Sequence, residues 1–304
     1  MKAVNPFPTD EYEFALCLTH DVDRPYKGAQ SLYYAVTERD PSHLTGLLPG
    51  HNPWWQFEDI MNLEASLGVR SAFYFLTEPH LLQRDPEKWT DPYYWIEHLG
   101  RYDLTDPAIA DVLRALDERG WEVGIHGSLG TDTDRSRLAY EQDRIERVLG
   151  HDIVGGRQHH LRHEAPETWH HYQSLGMAYD ASLGSASKIG FEHGYDLLRP
   201  FDDEFVAFPL TLMDKALANQ TDGYDDAWSA CERLLDAAAE NAGVMTVLWH
   251  PRNFCETDYP GQSRLYRNLI ERALEMGAWV GAPAHLYREF DLATDAEAAR
   301  TPQA

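Results

Sequence analysis

Thiols, lysines and long apolar runs are scarce in this 304-residue chain, and each scarcity removes a class of function. The three cysteines, Cys17, Cys231 and Cys255, form no CxxC pair, so neither a disulfide framework nor a thiolate zinc site is expected. No run of eighteen apolar residues occurs, so no membrane span is expected. The opening stretch MKAVNPFPTDEYEF has one Lys and no apolar h-region, which argues against a secretory signal and for a cytoplasmic location. Positive charge is short as well: 26 Lys and Arg stand against 50 Asp and Glu, a net charge of −24, and the cations are mostly Arg. A nucleic-acid partner would require a basic face, so none is expected. Dispersed acid with little Lys fits a halophilic habitat, where salt screens the self-repulsion of the compact state. GxGxxG and GxxxxGK[ST] are both absent, which weakens dinucleotide and phosphate-loop readings.

What is present alternates. Short apolar, β-branched or aromatic runs at 14–19, 71–76, 122–125, 152–156, 179–180, 206–209 and 244–249 read as strands. Between them, helical periodicity runs over 55–67, 107–119, 136–149, 166–175, 227–241 and 263–276, with Pro107 and Pro166 near helix starts and Gly68, Gly120, Gly150, Gly176 and Gly277 as stops. About seven strand-helix units predict an α/β fold with parallel strands closed into a distorted (β/α)7-type barrel. One domain is expected over 1–290, with a long polar loop over the barrel mouth at 26–53 and a frayed tail at 291–304.

In a parallel barrel, functional groups gather at the C-terminal strand ends. Here 14–19 runs into His20, Asp21 and Asp23, 122–125 into His126, and 244–249 into His250; Arg157, His159 and Arg162 follow 152–156, and Asp180 closes another strand. Period-two alternation puts Asp21 and Asp23 on one face, aimed into the mouth. Two neighbouring carboxylates raise each other's pKa unless a cation lies beside them, and a divalent metal resolves the repulsion. Asp23 with one or more imidazoles suits zinc or a related ion.

In order, these motifs resemble those of the polysaccharide deacetylases, the NodB-homology or carbohydrate esterase family four proteins, over about residues 13–283. The resemblance implies the NodB-homology barrel, with THDVD supplying a catalytic base, Asp21, and a metal ligand, Asp23. His126 in IHGSLG matches a metal-binding His, Arg157 an Arg that orients the base, and Asp180 an Asp that pairs with the general-acid His, matched by His250. The family's second metal-binding His, four residues after the first, corresponds here to Gly130, so either the metal has fewer protein ligands or a third comes from elsewhere; for the latter His159 is the first candidate and His20 the second. His151, His163, His170, His171 and His193 receive no role.

The resemblance implies metal-dependent hydrolysis of an N-acyl, most often N-acetyl, group on an amino sugar or glycan. With no export signal, surface glycan biosynthesis inside the cell is the expected setting. Gly130 keeps a metal-independent amidohydrolase of the same fold, acting on a small amide or ureide, as an alternative. An inactive carbohydrate-binding barrel is the other, and the joint presence of Asp21, Asp23, His126, Arg157, Asp180 and His250 speaks against it. The aromatic stretches at 53–55 and 91–99 are candidates for a sugar cleft or for loop anchors.

Overall fold

The computed structural model describes residues 1–290 and 292, apart from 8, 10, 38, 49, 84 and 85. Its strands, in chain order, are β1 (Lys2–Val4), β2 (Phe14–Val22), β3 (Ala72–Leu76), β4 (Glu122–Gly127), β5 (Gly155–Gln158), β6 (Tyr179–Asp180), β7 (Leu197–Arg199), β8 (Val206–Ala207), β9 (Leu210–Met213), β10 (Val244–Leu248) and β11 (Ala278–Gly281). β2 to β6 pair in parallel succession, with one gap: β2 joins β3 through its second half, while its first half pairs with β11. On its other edge β2 pairs with β10, and β10 with β9.

The ring closes through 206–213. β8 pairs with β6, whereas β9, two residues further on, pairs with β10. Pro209, which has no N–H to give a ladder, lies between the two pieces. The seven parallel staves are therefore β2, β3, β4, β5, β6, the split β8–β9 run and β10, the distorted (β/α)7-type barrel expected. β1 and β7 form an antiparallel extension.

Alternation sorts the side chains into two cores. Ala15 and Cys17 of β2, Ala72 and Tyr74 of β3, Tyr179 of β6 and Val244 of β10 fill the barrel. Leu16 and Leu18, Phe73 and Phe75, Val123 and Ile125, and Met245 and Val247 face outward, against Phe57, Ile60, Leu113, Leu116, Leu265 and Leu269 of the surrounding helices. Each such Leu or Phe, fully buried, contributes about 1.5–3 kcal/mol. The helices lie at Phe57–Ser66, Pro107–Glu118, Arg135–Leu149, Glu167–Ser174, Tyr224–Glu240 and Gln262–Glu275, each within a few residues of its predicted span. Asp106 and Asp134 cap two of them by accepting from Ala108 N and Arg137 N.

The segment at 26–53 carries a helix, Gln30–Thr37, and a 3-10 helix, Pro41–Leu47. It is pinned by a buried cluster in which Asp258 accepts from Lys27 Nζ at 2.6 Å and Trp54 Nε1 at 2.7 Å, with His43 Nδ1 3.2 Å away. Trp54 is therefore a loop anchor. Of the tail at 291–304 only Leu292 is described, and it is buried; the rest lies outside the described residues. Among the described residues, no helix is long and apolar enough to cross a membrane.

Candidate active site

β2 continues past its predicted end to Val22, so Thr19 and Asp21 extend the inward row begun by Ala15 and Cys17, and Asp23 follows at the strand's exit. Asp21 is buried, and its Oδ1 accepts from Arg157 Nη1 at 2.9 Å. Arg157, on β5, also donates to Thr19 Oγ1 (2.8 Å) and, through Nε, to the Ala181 carbonyl (2.8 Å). Three fixed contacts hold the guanidinium, and the guanidinium holds one side of Asp21. Burial acts against the Arg157 charge, but the Asp21 carboxylate outweighs it and raises the arginine's pKa further.

Asp23 meets three imidazoles. Its Oδ1 lies 3.2 Å from His126 Nε2 and 3.7 Å from His159 Nε2; its Oδ2 lies 3.4 Å from both His250 Nε2 and Arg252 Nη1. Burial acts to raise the Asp23 pKa, and the surrounding imidazoles overcome it and hold the carboxyl well below its usual range. His126 shows the reciprocal effect: burial acts to lower its pKa, and the Asp21 and Asp23 carboxylates push it up to about 9.

One ligand atom each of Asp23, His126 and His159 lie within 4.8 Å of one another. Three further observations fit a cation there. His126 Nδ1 donates to the Arg157 carbonyl at 2.9 Å, leaving Nε2 bare when the ring is neutral. His159 Nδ1 is engaged by Glu78 Oε1 at 3.2 Å, the carboxylate-imidazole arrangement that fixes a metal-binding tautomer. Asp23 Oδ1 is buried without a well-formed hydrogen bond. The site can therefore hold a metal through one carboxylate and two imidazoles, a donor set that suits zinc and its neighbours.

His159, the first candidate for third ligand, thus lies with Asp23 and His126. His20, the second, does not: it occupies the opposite parity of β2 and faces the helical layer, where Nδ1 meets the Trp249 carbonyl at 2.5 Å and Nε2 meets Glu64 at 3.0 Å. The turn explains Gly130. Its φ is +98, a conformation in which an L side chain is strained, although an added β-carbon would meet nothing nearer than Arg137 Nη1 at 3.9 Å. After His159 the backbone takes positive φ at His160 (+57) and Leu161 (+54), a costly turn for non-glycine residues of the kind that clusters at functional sites.

The expected pairing of Asp180 with His250 does not form. Tyr179 points into the barrel, so Asp180 points out of it, and its carboxylate accepts from Trp169 Nε1 (3.1 Å), Ser182 N (3.1 Å) and Ser182 Oγ, with His163 Nε2 at 4.0 Å. Burial raises its pKa. His250 is instead held by Asp214, whose carboxylate lies 2.9 and 3.0 Å from His250 Nδ1 and also accepts from His250 N, Lys215 N and Asn253 Nδ2. Burial acts to lower the His250 pKa, and the Asp214 charge reverses this and raises it. Asp214 sits directly after β9, a strand end hidden because the predicted strand stops at Pro209.

These groups surround a cavity of about 80 Å³, lined by Asp21, Asp23, His126, His159, His250 and Arg252 among others. That space holds several waters or a small acyl group, and it opens to solvent.

No family model matches the chain, and no curated protein does. Solved structures do. A protein from Mycobacterium smegmatis assigned as a polysaccharide deacetylase aligns over 100% of this chain and 97% of its own, with a TM-score of 0.63 at 17% identity. This chain has the polysaccharide-deacetylase fold. A second protein assigned to that class, from Pseudomonas aeruginosa PAO1, covers 94% of each chain at 12% identity, with a TM-score of 0.60. The Puue allantoinase covers 100% and 96% at 12% identity, with a TM-score of 0.61, so the same fold also serves an allantoinase. At these identities the likeness fixes the architecture; the chemistry must come from the side chains.

Proposed function

We propose that the protein hydrolyses an N-acyl group, of acetyl size, from an amino-sugar substrate, with a divalent metal, zinc by preference, held by Asp23, His126 and His159. The observation that carries this reading is the convergence of an Arg-fixed carboxylate, a three-ligand cluster and a carboxylate-held imidazole on one small cavity. The metal would supply Lewis acidity to the amide carbonyl. Asp21, pinned through Oδ1 by Arg157, has Oδ2 directed at the cluster, 3.6 Å from His126 Nε2, and serves as the base that takes a proton from the attacking water. His250, whose cationic form the Asp214 carboxylate favours, donates a proton to the departing amine. Arg157 and Asp214 act by positioning and by charge.

The polysaccharide-deacetylase neighbours support an N-acyl sugar as the substrate class. The allantoinase neighbour keeps the metal-independent small-amide reading in view, and the three-ligand cluster favours the metal-dependent one. The test is dialysis against a chelator followed by elemental analysis and assay of acetate release from N-acetylglucosamine oligomers. One equivalent of metal, lost with activity and restored with it, is the expected result. Acetate release by protein that never holds or responds to divalent metal would refute the metal-dependent form.

A further inference from the structure

A second cavity, of about 690 Å³, opens beside the reaction pocket. Glu78 joins the two: it lines the large cleft, and its Oε1 engages His159 Nδ1. Gly130 belongs to the cleft wall and leaves it open at that point. The reaction pocket is much the smaller of the two, about 80 Å³ against about 690 Å³, and the cleft is of the size that small-molecule ligands occupy, so it has room for the part of a substrate beyond the acyl group.

Its charge runs against the rest of the molecule. With 26 cations and 50 acids in 304 residues, fifteen residues drawn at random would hold about one cation and two or three acids. The fifteen lining residues hold five cations, Lys88, Arg101, Arg137, Arg144 and Arg162, against three acids. The acids are already engaged: Glu78 by His159 and Leu129 N, Asp134 by Arg137 N at its helix start, and Glu141 by Ser128 and Arg137. Three of the arginines have carboxylate partners, but Arg101 donates through Nε to the neutral Glu78 carbonyl at 2.8 Å, and Lys88 lies over the Tyr94 ring at 5.2 Å. Among the described residues, neither Lys88 nor Arg101 is ion-paired. A chain that spends few cations places in this cleft two that have no carboxylate at salt-bridge distance among the described residues, although the Arg101 charge also acts on Asp103.

We propose that this cleft binds the phosphate or diphosphate of a phosphorylated amino-sugar substrate, with Lys88 and Arg101 on the phosphoryl oxygens, so that the N-acyl group reaches the reaction pocket. The position of the acyl group rests on the N-acyl hydrolase reading; the anion site stands without it. A guanidinium fork matches phosphoryl oxygens in geometry as well as charge.

Calorimetric titration of the full chain with sodium pyrophosphate at fixed ionic strength tests the site. The expected result is binding that weakens at least tenfold in the Lys88→Gln/Arg101→Gln double variant, severalfold in Lys88→Gln alone, and not at all in Lys188→Gln, an exposed lysine paired with Glu192 that does not line the cleft. Because Lys88 is exposed on a short 3-10 turn, the single variant carries the test should the double variant fold poorly. No pyrophosphate binding above a matched chloride control, or binding indifferent to Lys88→Gln, overturns the proposal. A second arm compares a nucleoside-diphosphate N-acetylglucosamine and a short polyprenyl-diphosphate N-acetylglucosamine in detergent with free N-acetylglucosamine. At least tenfold tighter binding of either supports the site and identifies the carrier; equal affinity for all three overturns it. Intact pyrophosphate binding without acetate release from any N-acetylated sugar would refute the hydrolase reading alone, and acetate release without anion binding would refute this site alone.

Discussion

Replacing Asp214 by Asn tests the acid side of the proposed reaction, because it removes one charge and almost no volume. The carboxylate lies 2.9–3.0 Å from His250 Nδ1 and accepts three further N–H groups, from His250 N, Lys215 N and Asn253 Nδ2. An amide offers one acceptor oxygen to these donors. Its NH2 facing His250 would turn Nδ1 into an acceptor and leave the ring neutral with its proton on Nε2. An opposite charge at this range is worth about one to three pKa units, or about 1.4–4 kcal/mol. His250 is raised in the native protein by Asp214, and a general acid works only while protonated, so activity is lost as pH rises through that raised pKa. In Asp214→Asn the loss should begin at lower pH, with kcat at neutral pH down about a hundred- to ten-thousandfold and KM changed little. The assay is acetate release across pH, with thermal unfolding as a control for folding. Asp180→Asn is the companion variant and should leave kcat within about threefold, since Asp180 faces Trp169 and Ser182 on the far side of its strand. If Asp180→Asn abolishes turnover while Asp214→Asn keeps it, the assignment of the His250 partner is wrong.

Asp21→Asn should lower kcat by at least about a hundredfold and leave the metal content unchanged, since Asp21 is outside the three-ligand cluster; loss of metal in elemental analysis would contradict its role as base. His159→Ala should abolish stoichiometric metal, and Glu78→Gln should weaken metal affinity about ten- to a hundredfold by releasing the imidazole, measured by competition with a chromophoric chelator. His20→Ala should keep the metal and instead destabilise the fold by about 3–5 kcal/mol in denaturant titrations, because it leaves the buried Glu64 carboxylate without its imidazole partner. Glu122, inside the barrel, has its pKa pushed up to about 7 by burial, so its ionisation opposes folding once pH exceeds the unfolded value. Glu122→Gln should therefore add about 1–3 kcal/mol at pH 8 and about nothing at pH 3, below the unfolded pKa, with Gln Nε2 replacing the bond to Tyr179 and its carbonyl keeping the Ala284 N–H. Equal effects at both pH values would show that the Glu122 carboxyl titrates in the native barrel as it does in the unfolded chain.

How much of this was legible in the sequence turns on parity. Strand ends found Asp21, Asp23, His126, Arg157, His159 and His250 because each follows an apolar run directly, and the barrel topology then brings those ends together. A strand end alone does not say which face a residue takes. His20 and Asp180 satisfy the strand-end rule as well as Asp21 does, yet each is one residue out of phase with an inward neighbour, and each is spent on the helical layer, on Glu64 in one case and Trp169 in the other. Applied to the alternation of Tyr179 and Asp180, or of His20 and Asp21, period two excludes both in advance, given one fixed inward residue per strand. Asp214 was hidden for a different reason. Pro209 reads as the end of a strand, and it is the end of pairing with β6, but the chain goes on to pair with β10 for four more residues before delivering its carboxylate. A proline inside a run of VAFPLTLM marks a change of neighbour here, and the carboxylate that holds His250 lies just beyond it. Gly130 illustrates the reverse limit. Its departure from the resembled motif is visible at once, yet why no side chain stands there depends on a backbone angle, and that His159 lies with Asp23 and His126 instead depends on the register of β5 beside β4.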